Sequence, residues 1–293
     1  MNYKTPRKAI ITDAGFASRY LPITKTIPKA MVPIGAKPIM QLCVEECAEA
    51  GIEEIVIVAT PHTKSREIYE DYFNNASTNV RNLLEKQGKL DRFASVEKVL
   101  ALPKVTVIEQ DDSLPYGNGS PIVSAKDFIN DDEAFVVLYS DDIILGQGDV
   151  KTLIEEYEKH PDAKAIITAQ EMPEKVWNKY GMIALKENGT LSHIVEKPKT
   201  PELSPSNLTS YGRYLLTPEI FNYLTPENTG LDGELWTVDG ITKLAEEGNV
   251  YVAKSQGEWI TTGDPKNYFM AHLKYVLDNT DYADDVRKFI AEN

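Results

Sequence analysis

What this 293-residue chain has little of narrows its possibilities first. It holds 2 cysteines, Cys43 and Cys47, which share an apolar helical pattern with Ile39, Met40 and Val44. That spacing puts both thiols on one buried stripe. A disulfide framework is therefore excluded, and so is a zinc site, because His62, His160, His193 and His272 are scattered singly. Basic residues are also short: 31 Lys and Arg stand against 45 Asp and Glu, a net charge of −14. Such a field opposes binding to nucleic acid or to an anionic membrane surface. No apolar run approaches the roughly 20 residues that a membrane span needs, and the polar opening MNYKTPRK lacks the pattern of a secretory leader, so a cytoplasmic protein is expected. No Pro/Gly/Ser-rich linker, repeat or low-complexity tract divides the chain. Its longest irregular stretch, 198–206, is a Pro-punctuated loop. With 42% hydrophobic residues, a single domain over 1–293 is expected.

What is present is strand–helix alternation. Strands are expected at 8–13, 54–59, 105–109 and 134–140, and helices at 38–50, 64–73, 78–88, 120–129 and 149–160. This is the pattern of a Rossmann-like, doubly wound, mainly parallel sheet of the α/β class, with ligands beyond the carboxyl ends of the strands. After residue 160 the rhythm changes. Strands near 164–170, 181–186, 191–195 and 208–216 are separated by turn signals such as Glu187-Asn188-Gly189, a hairpin-rich region added to the sheet. Helices near 218–224, 234–247, 265–279 and 283–291 complete the chain, the last two forming the expected oligomer surface.

Residues 9–33, AIITDAGFASRYLPITKTIPKAMVP, carry the clearest signal. An apolar strand runs into a small-residue turn, Asp13-Ala14-Gly15, where backbone N–H groups can approach a phosphate or a base edge. Arg19, Lys25, Lys29 and, just beyond, Lys37 supply positive charge in an otherwise acidic chain. Neither a P-loop nor a G-x-G-x-x-G pattern is present. At the other strand ends, Asp141-Asp142 closes a strongly apolar strand, and alternation turns Asp142 to the opposite face from Asp141. Gln110 ends another strand with an amide that can both donate and accept.

These segments resemble the sugar-1-phosphate nucleotidylyltransferases, and most closely the bacterial UTP–glucose-1-phosphate uridylyltransferase branch. The matches continue in the family's order through KPIMQ (37–41), the Gln-containing strand and Gly-rich loop (110–120), SDD (140–142), KYG (179–181), EKP (196–198), GRYLLTPEIF (212–221), DGELWTVDGI (232–241) and TGDPKNY (262–268). The resemblance implies transfer of a uridylyl group from UTP to glucose 1-phosphate with Mg²⁺ as cofactor, in a homo-oligomer (dimer or tetramer). It implies that residues 1–145 are mainly the nucleotide half, 146–264 the sugar-phosphate half and 265–293 C-terminal helices.

Residue by residue, it implies catalytic roles for Arg19, Lys29, Lys197 and Asp141. Ala14, Gly15, Gln110 and Gly117 are implied to hold the nucleotide. Gly181, Glu196, Lys197, Gly212 and Glu234 would hold the sugar phosphate, with Asp239 as a further candidate. Asp141 would ligate the metal. Four positions depart from the pattern: Asp13 stands for Ala, Ala17 for Gly, Ala30 for Glu or Gln, and Thr261 for a metal-holding Asp, so that either Asp264 supplies the second carboxylate or Asp141 holds one metal alone. Two alternatives accompany this expectation, a thymidylyltransferase and a non-catalytic regulatory paralogue that binds nucleotide sugar.

Overall fold

The computed structural model describes residues 3–293, apart from the side chain of Leu231. In chain order the elements are β1 (Lys8–Asp13), β2 (Pro33–Ile34), β3 (Lys37–Pro38), α1 (Ile39–Glu49), β4 (Glu54–Ala59), α2 (Ser65–Asn74), α3 (Thr78–Lys86), α4 (Ala94–Leu100), β5 (Lys104–Glu109), α5 (Ser120–Ser124), β6 (Phe135–Tyr139), β7 (Asp142–Leu145) and α6 (Asp149–Lys159). They continue with β8 (Ala165–Glu171), β9 (Gly181–Leu185), β10 (Leu191–Glu196), β11 (Leu208–Leu216), α7 (Thr237–Glu247), β12 (Val250–Lys254), β13 (Glu258–Thr261), α8 (Pro265–Asn279) and α9 (Ala283–Glu292).

Parallel pairing joins β6, β1, β4 and β5, and the central strands are apolar on both faces because both faces are covered. Ile11, Ile55 and Ile57 face one core with Met40, Cys43, Val44 and Cys47 of α1. Ile10, Val56 and Val58 face the other with Ile241, Leu244 and Ala245 of α7. Both thiols are buried, as the helical stripe predicts, and burial pushes Cys43 up to about 12. β11 runs antiparallel to β6 and extends the sheet through β9 and β10, while β8 and β12 branch from it. This reversal brings Gly181, Glu196 and Ser210 to the edge where β1, β4, β5 and β6 end, since Ser210 pairs with Gly181 and Gly181 with Glu196.

Several expected elements are shorter. The helix at 120–129 is five residues long and is followed by a 3₁₀ turn at Lys126–Phe128, and 218–224 is a 3₁₀ turn at Pro218–Asn222. α7 starts at Thr237 and not at 234, because Asp232 and Gly233 adopt positive φ and the Asn118 side chain accepts from the Thr237 N–H. β7, β12 and β13 have no counterpart in the expected list. The β7–β13 pair sets Thr261 opposite Asp142.

One buried group ties these layers together. Arg213 is fully buried, and all its donors are used: Nε and Nη2 reach Glu46, Nη1 reaches the Tyr139 and Gly212 carbonyls, and Nη2 reaches the Asp142 carbonyl at 2.6 Å. Glu46 also accepts from the Asp149 and Val150 N–H groups at the start of α6. Removing one partner strands a buried charge. Arg213→Met and Glu46→Gln are each expected to destabilise the fold by about 3–5 kcal/mol, with partial recovery when both are made apolar together. Urea unfolding measures this, and a loss below about 1 kcal/mol for both single variants contradicts the role.

Candidate active site

The Arg213 clamp grips the carbonyls on either side of the Ser140–Asp141 turn, so the turn is presented at the carboxyl edge of the sheet. Asp141 keeps part of its side chain open, about 38% exposed, and pairs with Lys29 Nζ at 2.9 Å. Burial pushes the Asp141 carboxyl up, but Lys29 and the backbone outweigh it and hold the group below the usual carboxylate range. Asp142 points the other way, accepting from Trp259 Nε1 at 2.7 Å and from the Gly212 N–H at 3.1 Å, so the two carboxylates are divided as expected, though by the turn at Asp141 and not by alternation within one strand. Asp142 sits deep in the protein and is pushed up to about 6 by burial and by Asp141.

Lys29 is buried in a 3₁₀ turn, Lys29–Met31. Burial works against its charge, yet Asp141 and Asp13 outweigh it and raise the ammonium's affinity for its proton. Arg19, at the surface, donates to the Gly263 carbonyl at 3.1 Å, and Tyr20 OH donates to the Thr262 carbonyl. The turn after β1 is thereby stitched beside Asp141. A Cβ at Gly15 would meet nothing within 4 Å, so the space over Ala14-Gly15 is open. Lys25 is exposed nearby, whereas Lys37 is taken by Glu45 at 2.7 Å and drops out of the expected cation cluster.

Ala17 adopts the left-handed conformation (φ 51°, ψ 48°), which explains the glycine that the family pattern carries at this position. Asp13 turns into the protein, accepting from Ser140 Oγ at 2.5 Å and from Tyr69 OH. Neither Tyr69 nor Ser140 figured among the expected site residues; the unusual Asp13 was the only sequence signal that a buried acceptor needed donors.

Gln110 continues β5, its N–H donating to the Ala59 carbonyl, which sets its side chain at the end of the same edge. Gly117 (φ 136°) lies against Leu235: a Cβ there would stand 2.3 Å from the Leu235 carbonyl oxygen. On the far side of the edge, a Cβ at Gly181 would stand 2.8 Å from Ile194 Cγ2 and 2.9 Å from Glu196 Oε2, so the absent side chain makes room for both. Burial pushes Glu196 up, opposed by Lys197, whose Nζ is 3.4 Å away.

Three expectations change. A Cβ at Gly212 would collide with the Tyr139 side chain at 2.3 Å, so this glycine is explained by packing within the protein. Asp264 uses both oxygens as the N-cap of α8, accepting from the Lys266 and Asn267 N–H groups and from Asn267 Nδ2; that replaces the expected metal role. Glu234 precedes α7 and is not in its first turn, while Asp239 is. The Asp239 carboxylate fills the space beside Gly230.

Asp13 provides a pH test. Burial raises its carboxyl from 3.8 to about 6, opposed by Lys29, Ser140 and Tyr69. Below about pH 4 both folded and unfolded chains hold this proton; as pH rises toward 6 only the unfolded chain releases it, so its contribution to stability falls, by at most about 3 kcal/mol. Comparing wild type with Asp13→Asn by chemical unfolding from pH 4 to 7 should show that slope in the wild type and its loss in the variant. A pH-independent difference between the two rules the raised carboxyl out.

Residues 8–277 match the family model described as nucleotidyl transferase. The chain is 37% identical over 292 residues to the UTP–glucose-1-phosphate uridylyltransferase of Bacillus subtilis, covering 98% of this chain and 97% of that protein. It is likewise 37% identical over 289 residues to UTP–glucose-1-phosphate uridylyltransferase 2 of Staphylococcus saprophyticus, covering 97% and 96%. Among solved structures, a UTP-bound UGPase from Acinetobacter baumannii superposes with a TM-score of 0.86 at 29% identity, covering 98% of this chain and 99% of that one. A UDP-glucose pyrophosphorylase complexed with UDP-glucose gives 0.78 at 30% identity, covering 94% and 100%. With a family model spanning nearly its whole length and relatives 37% identical over almost all of it, this chain belongs to the nucleotidyl transferase family.

Proposed function

We propose that the protein transfers a uridylyl group from UTP to glucose 1-phosphate, releasing pyrophosphate and UDP-glucose. The observation that carries this reading is the alignment of two half-sites along one edge: Gln110, Ala14-Gly15, Arg19, Lys29 and Asp141 on one side, Gly181, Glu196 and Lys197 on the other. In this reading residues 1–145 serve mainly the nucleotide, 146–264 the sugar phosphate, and 265–293 the assembly. The Gln110 amide donates to and accepts from the imide edge of uracil. Glu196 accepts from sugar hydroxyls, and Lys197 holds the sugar phosphate whose oxygen attacks the α-phosphorus in line with the departing pyrophosphate.

The donor set at Asp141 suits Mg²⁺: one partly open carboxylate leaves positions for water and phosphate oxygens, as a small hard ion prefers. When bound there, Mg²⁺ supplies charge neutralisation at the phosphates. Lys29 exchanges Asp141 for a phosphate oxygen, its charge sustained by buried Asp13. Arg19 adds a second positive charge at the mouth. Catalysis of this kind rests on positioning and electrostatics, and no protein nucleophile is needed.

The reading extends to a cytoplasmic homo-oligomer, dimer or tetramer, joined through α8 and α9, where Phe269, Met270, Phe289 and Ile290 are all at least half exposed. Sedimentation of wild type and Phe289→Ser checks that surface.

Purified protein with Mg²⁺ is expected to release pyrophosphate from UTP and glucose 1-phosphate, and far less from other pairs in a matrix that includes dTTP and other sugar 1-phosphates. Absence of product together with tight UDP-glucose binding favours a regulatory role. Asp141→Asn should fold normally and lose activity by a factor of about 100 or more, whereas near-normal turnover contradicts the phosphate-facing role.

A further inference from the structure

Lys197 leaves β10 with a left-handed backbone (φ 45°), a strained state for a residue that is not glycine. Its N–H donates to the Tyr180 carbonyl at 3.0 Å, and the side chain crosses to the segment before α7. There its ammonium lies 5.0 Å from the ring centroid of Trp236, within the range of a cation–π contact.

Trp236 is held on both sides by the loop that follows Gln110. The Leu235 N–H donates to the Tyr116 carbonyl at 2.7 Å, and the Gly119 N–H donates to the Leu235 carbonyl at 2.8 Å. The Thr237 N–H and hydroxyl both donate to Asn118 Oδ1, at 2.8 and 3.1 Å. Cβ atoms at Gly117 and Gly119 would stand 2.3 and 3.0 Å from the Leu235 carbonyl oxygen, so the close approach depends on those glycines.

We propose that Trp236 is a positioning residue for the sugar-phosphate site: its ring holds the Lys197 ammonium where the phosphate of the sugar 1-phosphate arrives, and its neighbours tie that lysine to the loop beside the uracil. This inference rests on the reading of Lys197 as the sugar-phosphate ligand. A lysine is a point charge on a flexible four-carbon stem, so its usefulness depends on restraint. Glu196 also restrains it, but a carboxylate competes with the incoming phosphate. An aromatic face does not, because it attracts the cation without neutralising it. The ammonium can leave Glu196 for the phosphate and keep the ring. The same linkage places the two substrates on one continuous segment, from the Tyr116–Gly119 loop through Leu235 and Trp236 to Lys197.

Steady-state kinetics on the full chain test this. Trp236→Leu is expected to raise KM for glucose 1-phosphate by about three- to tenfold, with KM for UTP and kcat changed less than about twofold. Trp236→Phe, which restores a ring, should recover most of the loss. In a Lys197→Ala background, Trp236→Leu should add nothing. If Trp236→Leu does not fold, Trp236→Gln takes its place. Should Lys197→Ala leave KM for glucose 1-phosphate unchanged, the ligand assignment falls and the inference with it. Should Lys197→Ala raise that KM while the loss of the ring does not, or should the two losses multiply in the double variant, the ligand assignment stands and the positioning role of Trp236 is overturned.

Discussion

The buried guanidinium of Arg213 is the constraint on which the rest of the site depends. A charge without solvent is tolerated only when every donor is met by good geometry. Here that demand is met by gathering Glu46 of α1, the Tyr139 and Asp142 carbonyls and the Gly212 carbonyl around one group. The requirement is satisfied only when α1, the end of β6, the start of β7 and β11 are mutually in place. Asp141, lying between two gripped carbonyls, inherits that rigidity, and Asp142 contributes by accepting from Gly212 and Trp259 on the reverse side. Electrostatic catalysis asks for groups that need not reorganise during reaction. A turn fixed by a satisfied buried cation provides such a group.

Around this frame the chain manages its excess of negative charge locally. Net charge of −14 opposes the approach of polyanionic substrates. Lys29 compensates at close range, because it is buried between Asp13 and Asp141 and keeps its proton. Asp13 is an odd neighbour for phosphates only in sequence; in three dimensions Tyr69 and Ser140 cage it, and it helps Lys29 to keep its proton.

Much of this was legible in the sequence, for reasons that can be named. Apolar runs such as AIIT and FVVLYS mark strands buried on both faces, and small residues after β1 mark an open turn, so the sheet edge followed from period and chemistry, whereas the roles expected of the residues along it rested on the family resemblance. Asp141 and Asp142 do face opposite ways, but the cause is the turn between β6 and β7 that holds Asp141, which an apolar run continuing to Ser140 conceals. What the sequence hid was competition between uses of one residue type. Asp264 in Gly-Asp-Pro looks equally suited to metal and helix cap, and only the positions of Lys266 and Asn267 decide for the cap. Lys37 looks like part of the cation cluster until Glu45, on the adjoining helix α1, is seen to hold it. Gly212 looks like room for a hexose but is room for Tyr139. Trp236 carried no signal, since its partner Lys197 lies far away in sequence, just past β10.

If two substrates meet directly across this edge, the phosphate of glucose 1-phosphate displaces pyrophosphate in one step. The measurement that tests this most directly is the configuration at the α-phosphorus when a single diastereomer of α-thio-UTP is used as donor. One in-line displacement inverts that centre, so UDP-glucose with inverted configuration is the result predicted. Retention would mean two displacements through a covalent intermediate on the protein, and would contradict a site that works by positioning and charge alone.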